Sequence, residues 1–538
     1  MKRSSFAKAL RGMVAGVSLL GAATLALVPH HAQAQEALRI ASALSDIPNL
    51  WGVPSGGFEG VRFGGYTIFD PLVRWDMSSA TEPSRLIPSL AESWSVDPAN
   101  PKRWIFKLRQ ASFHDGSPWN ADAAIWNLDG FKNKDAPQFD GARASSAGSR
   151  TASIESYGKI DDYTIYIETR TPNSFLLHEL STLFFVSPAR YAELDGDWKK
   201  FAENPSGTGP YKFVSLNPGT ELHLEANENY WDPNRVPKTK DLFILPVPDA
   251  NTRIAALRSG QVDLVDTLPP DAIPALEAAG FNIVENTYPH TWLWRISFTE
   301  DSPFSDIRIR KAANLAIDRD AIVDFLGGHA TAAKGFAPPD APWFGKPEFE
   351  IKYDPEAAKA LLAEAGYGPE NPVKLKITIS SSGGGQMVPL SMNEIIQANL
   401  KDVGIDVEYD VRDFTTMITM LRQGAKEVGT NGLNVAMTMQ DPPSGIVSYT
   451  STFAPPNGSN FGFYNNPEFD AALAAARAEF DPEKQEAALA KVNEVLTNDA
   501  AALLVVHDTN PRALSPKLKG FVQARNWYQD FTPIEVTE

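Results

Sequence analysis

A mixed α/β protein with two separately cored lobes is the fold class this sequence predicts, on three observations. The chain has 538 residues, beyond the size at which a single hydrophobic core stops growing. From Lys374 to Met439 the apolar pattern switches repeatedly between period 2 and period 3.6, which is a βαβαβ order and implies parallel strands with helices on their faces. From Arg103 the chain reads as strand, tight turn and helix: Trp104, Phe106 and Leu108 alternate, Asp115-Gly116 turns, and Asn120 caps a helix whose Ala121, Ala124, Ile125 and Leu128 share one face.

The N-terminus reads as an export signal over residues 1–34. Lys2, Arg3, Lys8 and Arg11 make a basic start, Met13 to Val28 an apolar core, and Ala32-Gln33-Ala34 a small-residue cleavage site before Gln35. The apolar core is shorter than the roughly 20 residues a membrane span needs. The chain contains no cysteine, which excludes disulfides, thiolate metal sites, a catalytic Cys and an acylated N-terminal Cys. The expectation is a freely diffusing periplasmic protein of a Gram-negative cell. Loss of the four signal cations takes the net charge from −17 to −21, opposite to the basic footprint nucleic acid demands.

Further elements follow in order. Tyr163 to Thr169 is a strand; Tyr211 to Val214 and Glu221 to Ala226 form a hairpin turned at Asn217-Pro218-Gly219. A short helix from Arg253 stops at Gly260 and leads into a Val-Asp-Leu strand, and Pro303 to Ala312 opens another helix. Pro355 to Ala365 is a helix with Asp354 as cap and Gly366 as stop. Strand Lys374 to Ser380, helix Val388 to Val403, strand Ile405 to Val411, helix Phe414 to Gln423 and strand Leu433 to Met439 come next, then an amphipathic helix from Pro482 to Thr497.

Several of these segments carry a resemblance. Leu86 to Asn127, with its order LxPSLAxSW, WxFxLR and FHDGSPxxAxxAxW, resembles the peptide/nickel/opine class (family 5) of periplasmic solute-binding proteins of ABC importers. So do Gly207-Thr208-Gly209-Pro210-Tyr211, Asn229-Tyr230-Trp231, Arg253 to Leu264, and the PFxDxRVRxA-like run from Pro303 to Ala312. The resemblance covers nearly all of the chain after the signal. It implies a two-lobed periplasmic binding protein fold of type II-like design: lobe I at 35–287 with an extra subdomain near 75–205, lobe II at 288–507, and a return to lobe I over 508–538. Two crossing strands, near Thr287 to Ile296 and Leu503 to Asp508, would form the hinge.

Enzymatic signatures are missing. There is no GxSxG elbow, HExxH, P-loop or complete GxGxxG. His178-Glu179 lacks a second histidine and reads as a helix pair, His114 as a turn residue and Asp161-Asp162 as a turn. Eight dispersed histidines argue against a protein-only metal cage. No catalytic residue, metal ligand or cofactor is expected.

The expected site is a ligand cleft, because ligands of open α/β sheets bind beyond the carboxyl ends of the strands. One such end is Ser380 to Gln386, where Ser381, Ser382 and Gly384 could hold an anion before a helix. Another is Thr438 to Pro443, offering Thr438 and Asp441. On the hinge strand, Trp292, Trp294 and Arg295 could stack on a solute and clamp an anion, with the tryptophans on one face and Arg295 on the other. Arg422, Tyr449 and Trp126 complete the set as pocket walls. Dipeptide-binding members that this chain resembles carry an acidic residue where Thr438 stands, and an arginine in the loop that here reads SSSGGGQ. Nickel-chelate binders place a tryptophan near Ala436. The resemblance therefore implies capture of a peptide-like or other small solute and its delivery to a permease with its ATPase, by a monomer, without naming the solute. A periplasmic hydrolase using the same cleft and a ligand-presenting signalling module are the alternatives.

Overall fold

The structure is a computed structural model and describes residues 37–53, 57–287, 290–381, 387–435, 437–438, 445–456 and 458–537. Two large sheets organise it. The first runs, in spatial order, Tyr211–Asn217, Glu221–Ala226, Asp241–Pro246, Ala37–Ser42, Leu264–Val265, Arg512–Leu514 and Asn282–Val284. Its centre is parallel, Ala37–Ser42 pairing with both Asp241–Pro246 and Leu264–Val265. The second runs Ala330–Ala332, Ala502–Asp508, His290–Ile296, Gly432–Asn434, Val373–Ser380 and Ile405–Arg412, with Met437–Thr438 also pairing to His290–Ile296.

Both sheets are covered on both faces, as parallel strands require. Leu38, Ile40, Leu242 and Ile244 face one core of the first sheet, and Ala41, Val265 and Ala513 the other. Trp292, Trp294 and Ile377 face one core of the second, and Leu293, Ala502 and Leu504 the other. The chain crosses between the sheets twice, after Val284 and after Asp508. The fold is thus two-lobed with a hinge of two crossing segments.

The extra subdomain is a four-stranded antiparallel sheet, Ala91–Asp97, Asn100–Leu108, Thr164–Thr169 and Ile154–Asp161, backed by the helix Ala121–Lys132. Trp104, Phe106 and Leu108 are buried along their strand as their alternation predicts. Asn120 accepts from the Ala123 amide at 3.0 Å. The FHDG turn is tied to the GTGPY segment by His114, whose Nε2 donates to the Gly209 carbonyl at 2.9 Å while Nδ1 accepts from the Gly207 amide at 3.4 Å. Burial pushes His114 down to about 4, so the ring is neutral and structural. Gly207 and Gly209 are required there: a Cβ would lie 2.1 Å from the Ile68 carbonyl oxygen at the first and 2.5 Å from its carbon at the second.

Most expected elements form within a residue or two. The cap and stop around Pro355–Glu364 are as read, with Asp354 accepting from the Ala357 amide and Gly366 at φ +87°. One strand differs. Leu433 to Met439 is two short strands, Gly432–Asn434 and Met437–Thr438, both held to His290–Ile296 in a common register, Trp294 opposite Asn434 and Thr291 opposite Met437. The first hairpin strand is longer than the sequence suggests, Tyr211–Asn217, because a bulge between Phe213 and Ser215 keeps its ladder going.

Candidate functional site

The carboxyl ends of the parallel strands point toward the two crossings, so the hinge strand His290–Ile296 lies where both lobes can reach it. Every residue of that strand is buried. His290 stacks on Trp527 of lobe I at 5.0 Å, and Thr291 bonds the Phe336 carbonyl at 2.7 Å and meets His507 Nδ1 at 3.2 Å. Burial pushes His507 down to about 4, which keeps this contact neutral.

Trp292 and Trp294 share a face, as alternation requires, and both sit in the lobe II core, 1 % and 0 % exposed. Trp294 Nε1 donates to Asn393 Oδ1 at 2.9 Å, and Asn393 in turn donates to Asn434 Oδ1 at 2.9 Å. Arg295 projects from the opposite face. It is 8 % exposed, donates from Nη1 to Ser448 Oγ at 2.8 Å, and lies 5.7 Å from the Tyr449 ring centre. Its Nε and the Tyr449 hydroxyl have no hydrogen-bond partner among the described residues. Burial lowers the Arg295 pKa, and only the Tyr449 phenol acts the other way; Tyr449 itself is pushed up to about 12 by burial. A guanidinium this dry without a carboxylate is costly unless something else supplies negative charge.

The other expected residues scatter. Thr438 is paired with His290 in the sheet register, which puts its backbone at the hinge. Ser381 is exposed, its amide donating to the Arg412 carbonyl at 2.9 Å. Arg422 is exposed near the end of the helix Phe414–Gln423. Trp126 is half-buried in lobe I, packed at 5.3 Å against Tyr191 and 6.1 Å against Trp198. Ser382, Gly384 and Asp441 lie outside the described residues. The hinge thus brings together Arg295, Tyr449 and Thr438 from the expected set, while Trp126 belongs to a separate aromatic cluster.

Sequence reasoning missed the lobe I side. Asp266 follows the strand Leu264–Val265; its Oδ1 accepts from the Ala43 amide at 3.0 Å and its Oδ2 takes Arg62 Nη2. Arg62 also pairs with Glu59 at 2.5 Å and lies 5.1 Å from the Trp527 ring, the same ring that stacks on His290. Burial pushes Glu59 up to about 7 despite the Arg62 guanidinium. Arg150, on the turn of helix Gly148–Thr151, donates to Thr182 Oγ1 at 2.8 Å and to the Ser146 carbonyl at 2.9 Å. No periodic or motif signal marks Glu59, Arg62, Arg150 or Asp266: Asp266 reaches Arg62 across 204 positions of chain and Arg150 reaches Thr182 across 32.

The two lobes touch. Ser174 of the subdomain donates from its amide to the Arg477 carbonyl at 2.8 Å, and its hydroxyl accepts from Gln485 Nε2 at 2.6 Å. Trp104 meets Phe480 at 5.9 Å. Among the described residues no group of histidines and carboxylates could hold a metal ion, and no helix is long and apolar enough to cross a membrane.

This two-lobed arrangement has known counterparts. Residues 85–466 match the family described as bacterial extracellular solute-binding proteins, family 5 Middle. The chain belongs to this family. Among curated relatives, heme-binding protein A of Haemophilus influenzae is 28 % identical over 501 residues, covering 87 % of this chain and 87 % of its own. Di/tripeptide-binding protein 2 of Pseudomonas aeruginosa is 26 % identical, covering 89 % and 93 %. Among solved structures, the periplasmic binding protein DppA of Helicobacter pylori in complex with the peptide STSA superposes with a TM-score of 0.81 at 22 % identity, covering 93 % of this chain and 98 % of that one. The last comparison establishes the shared fold. The family's members are solute-binding proteins, and relatives of similar identity are named for ligands as different as heme and short peptides.

Proposed function

We propose that this protein is the extracytoplasmic solute-binding component of an ABC importer, capturing a peptide-like or other small solute between its lobes and delivering it to a permease and its ATPase. The observation that carries this reading is the match to the solute-binding family over residues 85–466 on a fold with two lobes and two crossings. No covalent chemistry is required: closure needs only contacts that the closed lobes make and the open lobes lack. The protein acts as a binder, not an enzyme, and as a monomer. Export signal 1–34 is cleaved after Ala34, leaving a periplasmic protein without a lipid anchor.

The change of sheet after Val284 and after Asp508 supports lobe I at 35–287 with its subdomain near 75–205, lobe II at 288–507, and a return over 508–538. Arg295, Tyr449, Thr438 and Arg422 are the solute-facing members of the expected set, joined by Arg150 from lobe I. Binding is read from intrinsic fluorescence of the 12 tryptophans and from thermal melting against peptides, opines, chelates and sugars. A shift in both with one class supports the reading; no shift with any class, in protein stripped by mild denaturation and refolding, overturns it. N-terminal sequencing of the exported protein is expected to start at Gln35.

A further inference from the structure

The helix Leu176–Leu180 faces two ways. Leu176 and Leu180 are buried in the core of the subdomain. Phe175, the residue that starts the helix, is 0 % exposed in a different core, the lobe II one that holds Phe469, Leu473 and Ala476. It is the only described member of that core from before residue 290. Its approach is fixed from the subdomain side. Asn173 Oδ1 accepts from the Phe175 amide, the Asn173 carbonyl from Trp104 Nε1, and Asn173 Nδ2 donates to Glu179, each at 3.1 Å. The receiving surface is the turn between the helices Pro467–Ala478 and Pro482–Asn498. There the Ser174 amide and hydroxyl both donate to the Arg477 carbonyl, at 2.8 and 2.9 Å. Gln485 Nε2 donates to the Ser174 hydroxyl at 2.6 Å and to the Glu479 carbonyl at 3.0 Å. The Arg477 guanidinium lies 5.7 Å from the Phe175 ring centre and 4.0 Å from the Glu179 carboxylate.

Chain geometry brings this turn to lobe I. The helix Pro482–Asn498 has 17 residues and so runs about 25 Å. After Asp499 to Ala501 the strand Ala502–Asp508 returns about 20 Å toward the crossing, which sets the first turn of the helix level with the crossing and within reach of Ser174. Two bodies joined by two crossings rotate about them, and a contact made off the crossings breaks when they do. We infer that Phe175, with Ser174 beside it, is a latch. Seating the phenylalanine in lobe II holds the lobes closed without any contact to the solute. This rests on the solute-binding reading above and adds what sets the balance of open and closed forms. Apparent affinity scales with the closed fraction of the empty protein, so it is tuned at the latch independently of the residues that recognise the solute.

Two experiments test it. The chain has no cysteine, so Phe175→Cys supplies a single thiol. Its labelling by N-ethylmaleimide is followed in the solute-free protein as urea is raised through the folded range, with Thr220→Cys in the exposed hairpin turn as the freely reactive reference. A latch opens while both lobes stay folded. Labelling without urea is therefore expected at least about 100-fold faster than global unfolding permits, and nearly independent of urea. Labelling that follows global unfolding makes Phe175 a permanent core residue and overturns the latch. In the second experiment, affinities are measured by fluorescence and melting for tri-alanine and for each other compound of the panel above that shifts the parent. Phe175→Ala is expected to weaken every binder by one common factor of about 10 to 100, the equilibrium worth of one buried phenylalanine. Phe175→Leu should restore most of it, and Gln485→Ala should weaken binding less. Ile165→Ala, in the subdomain's own core, is expected to lower the melting temperature and leave the affinities alone. Unchanged affinity in folded Phe175→Ala, a factor that differs between compounds, or equal weakening by Ile165→Ala overturns the latch. Silence of the parent toward every compound counts against solute binding itself, and the thiol then decides the latch.

Discussion

Arg235 in lobe I and Arg295 in lobe II are each 8 % exposed, yet they live in opposite electrostatic worlds. Arg235 donates from Nε to Asp530 at 2.8 Å and from Nη1 to the Tyr230 hydroxyl at 3.0 Å. Burial disfavours its charge, but Asp530 more than compensates and its pKa rises. Asp530, pushed up by burial, is pulled down to about 2 by the same guanidinium. Arg295 has a hydroxyl and an aromatic face and no carboxylate, and its pKa falls. A structural ion pair closes its charge account within the fold. Arg295, at the hinge, keeps its charge without an ion pair among the described residues.

The largest effect expected on breaking this contrast is in lobe I. Arg235→Met leaves Asp530 buried and unpaired, and should cost about 3–5 kcal/mol, the usual penalty for removing one member of a buried pair, read by urea denaturation. The same pair should give an acid limb. Asp530 ionises lower in the fold than in the unfolded chain, where its value is 3.8, so its contribution is present above 3.8 and disappears as pH falls through about 2. A shift from 3.8 to 2 corresponds to about 2 kcal/mol, and Asp530→Asn should flatten the limb.

Arg295→Met is expected to go the other way. With no carboxylate to orphan, the solute-free protein should be unchanged or more stable by about 1–2 kcal/mol, while solute binding weakens. Equal destabilisation by Arg235→Met and Arg295→Met would erase the distinction. Glu59 sharpens it from a third side. Its carboxyl is pushed up to about 7 against an unfolded 4.5, so its neutral form is favoured in the fold; that stabilisation is full below 4.5 and is lost as pH rises through about 7. Glu59→Gln should remove this decline in melting temperature between pH 5 and 8. Smallest is the cap of the subdomain helix: Asn120→Ala, by urea denaturation, should cost about 1 kcal/mol and leave binding alone.

The two-lobed α/β architecture was legible because its signals are local. The cap at Asp354, the stop at Gly366 and the alternation of Trp104, Phe106 and Leu108 are each decided within a few residues. The site was legible only in part. Strand alternation separated Arg295 from Trp292 and Trp294, but could not say which face met the core; the structure puts the tryptophans there. Trp126 read as a pocket wall because an aromatic near the family motif invites it, whereas tertiary packing gives it Tyr191 and Trp198 as neighbours. Arg150 was invisible in a run of small residues, and Asp266 reaches Arg62 across 204 positions of chain.

Composition, periodicity and motif order by themselves determined a cysteine-free, acidic α/β chain with parallel strands and a family resemblance, because period, caps and turns are properties of short segments. Which charges are satisfied and which are left waiting was decided only by the tertiary structure. Pairing of Arg235 with Asp530, and the isolation of Arg150, Arg295 and Arg422 from any carboxylate among the described residues, depend on contacts between distant segments, and Coulomb energies follow distance and burial rather than sequence separation.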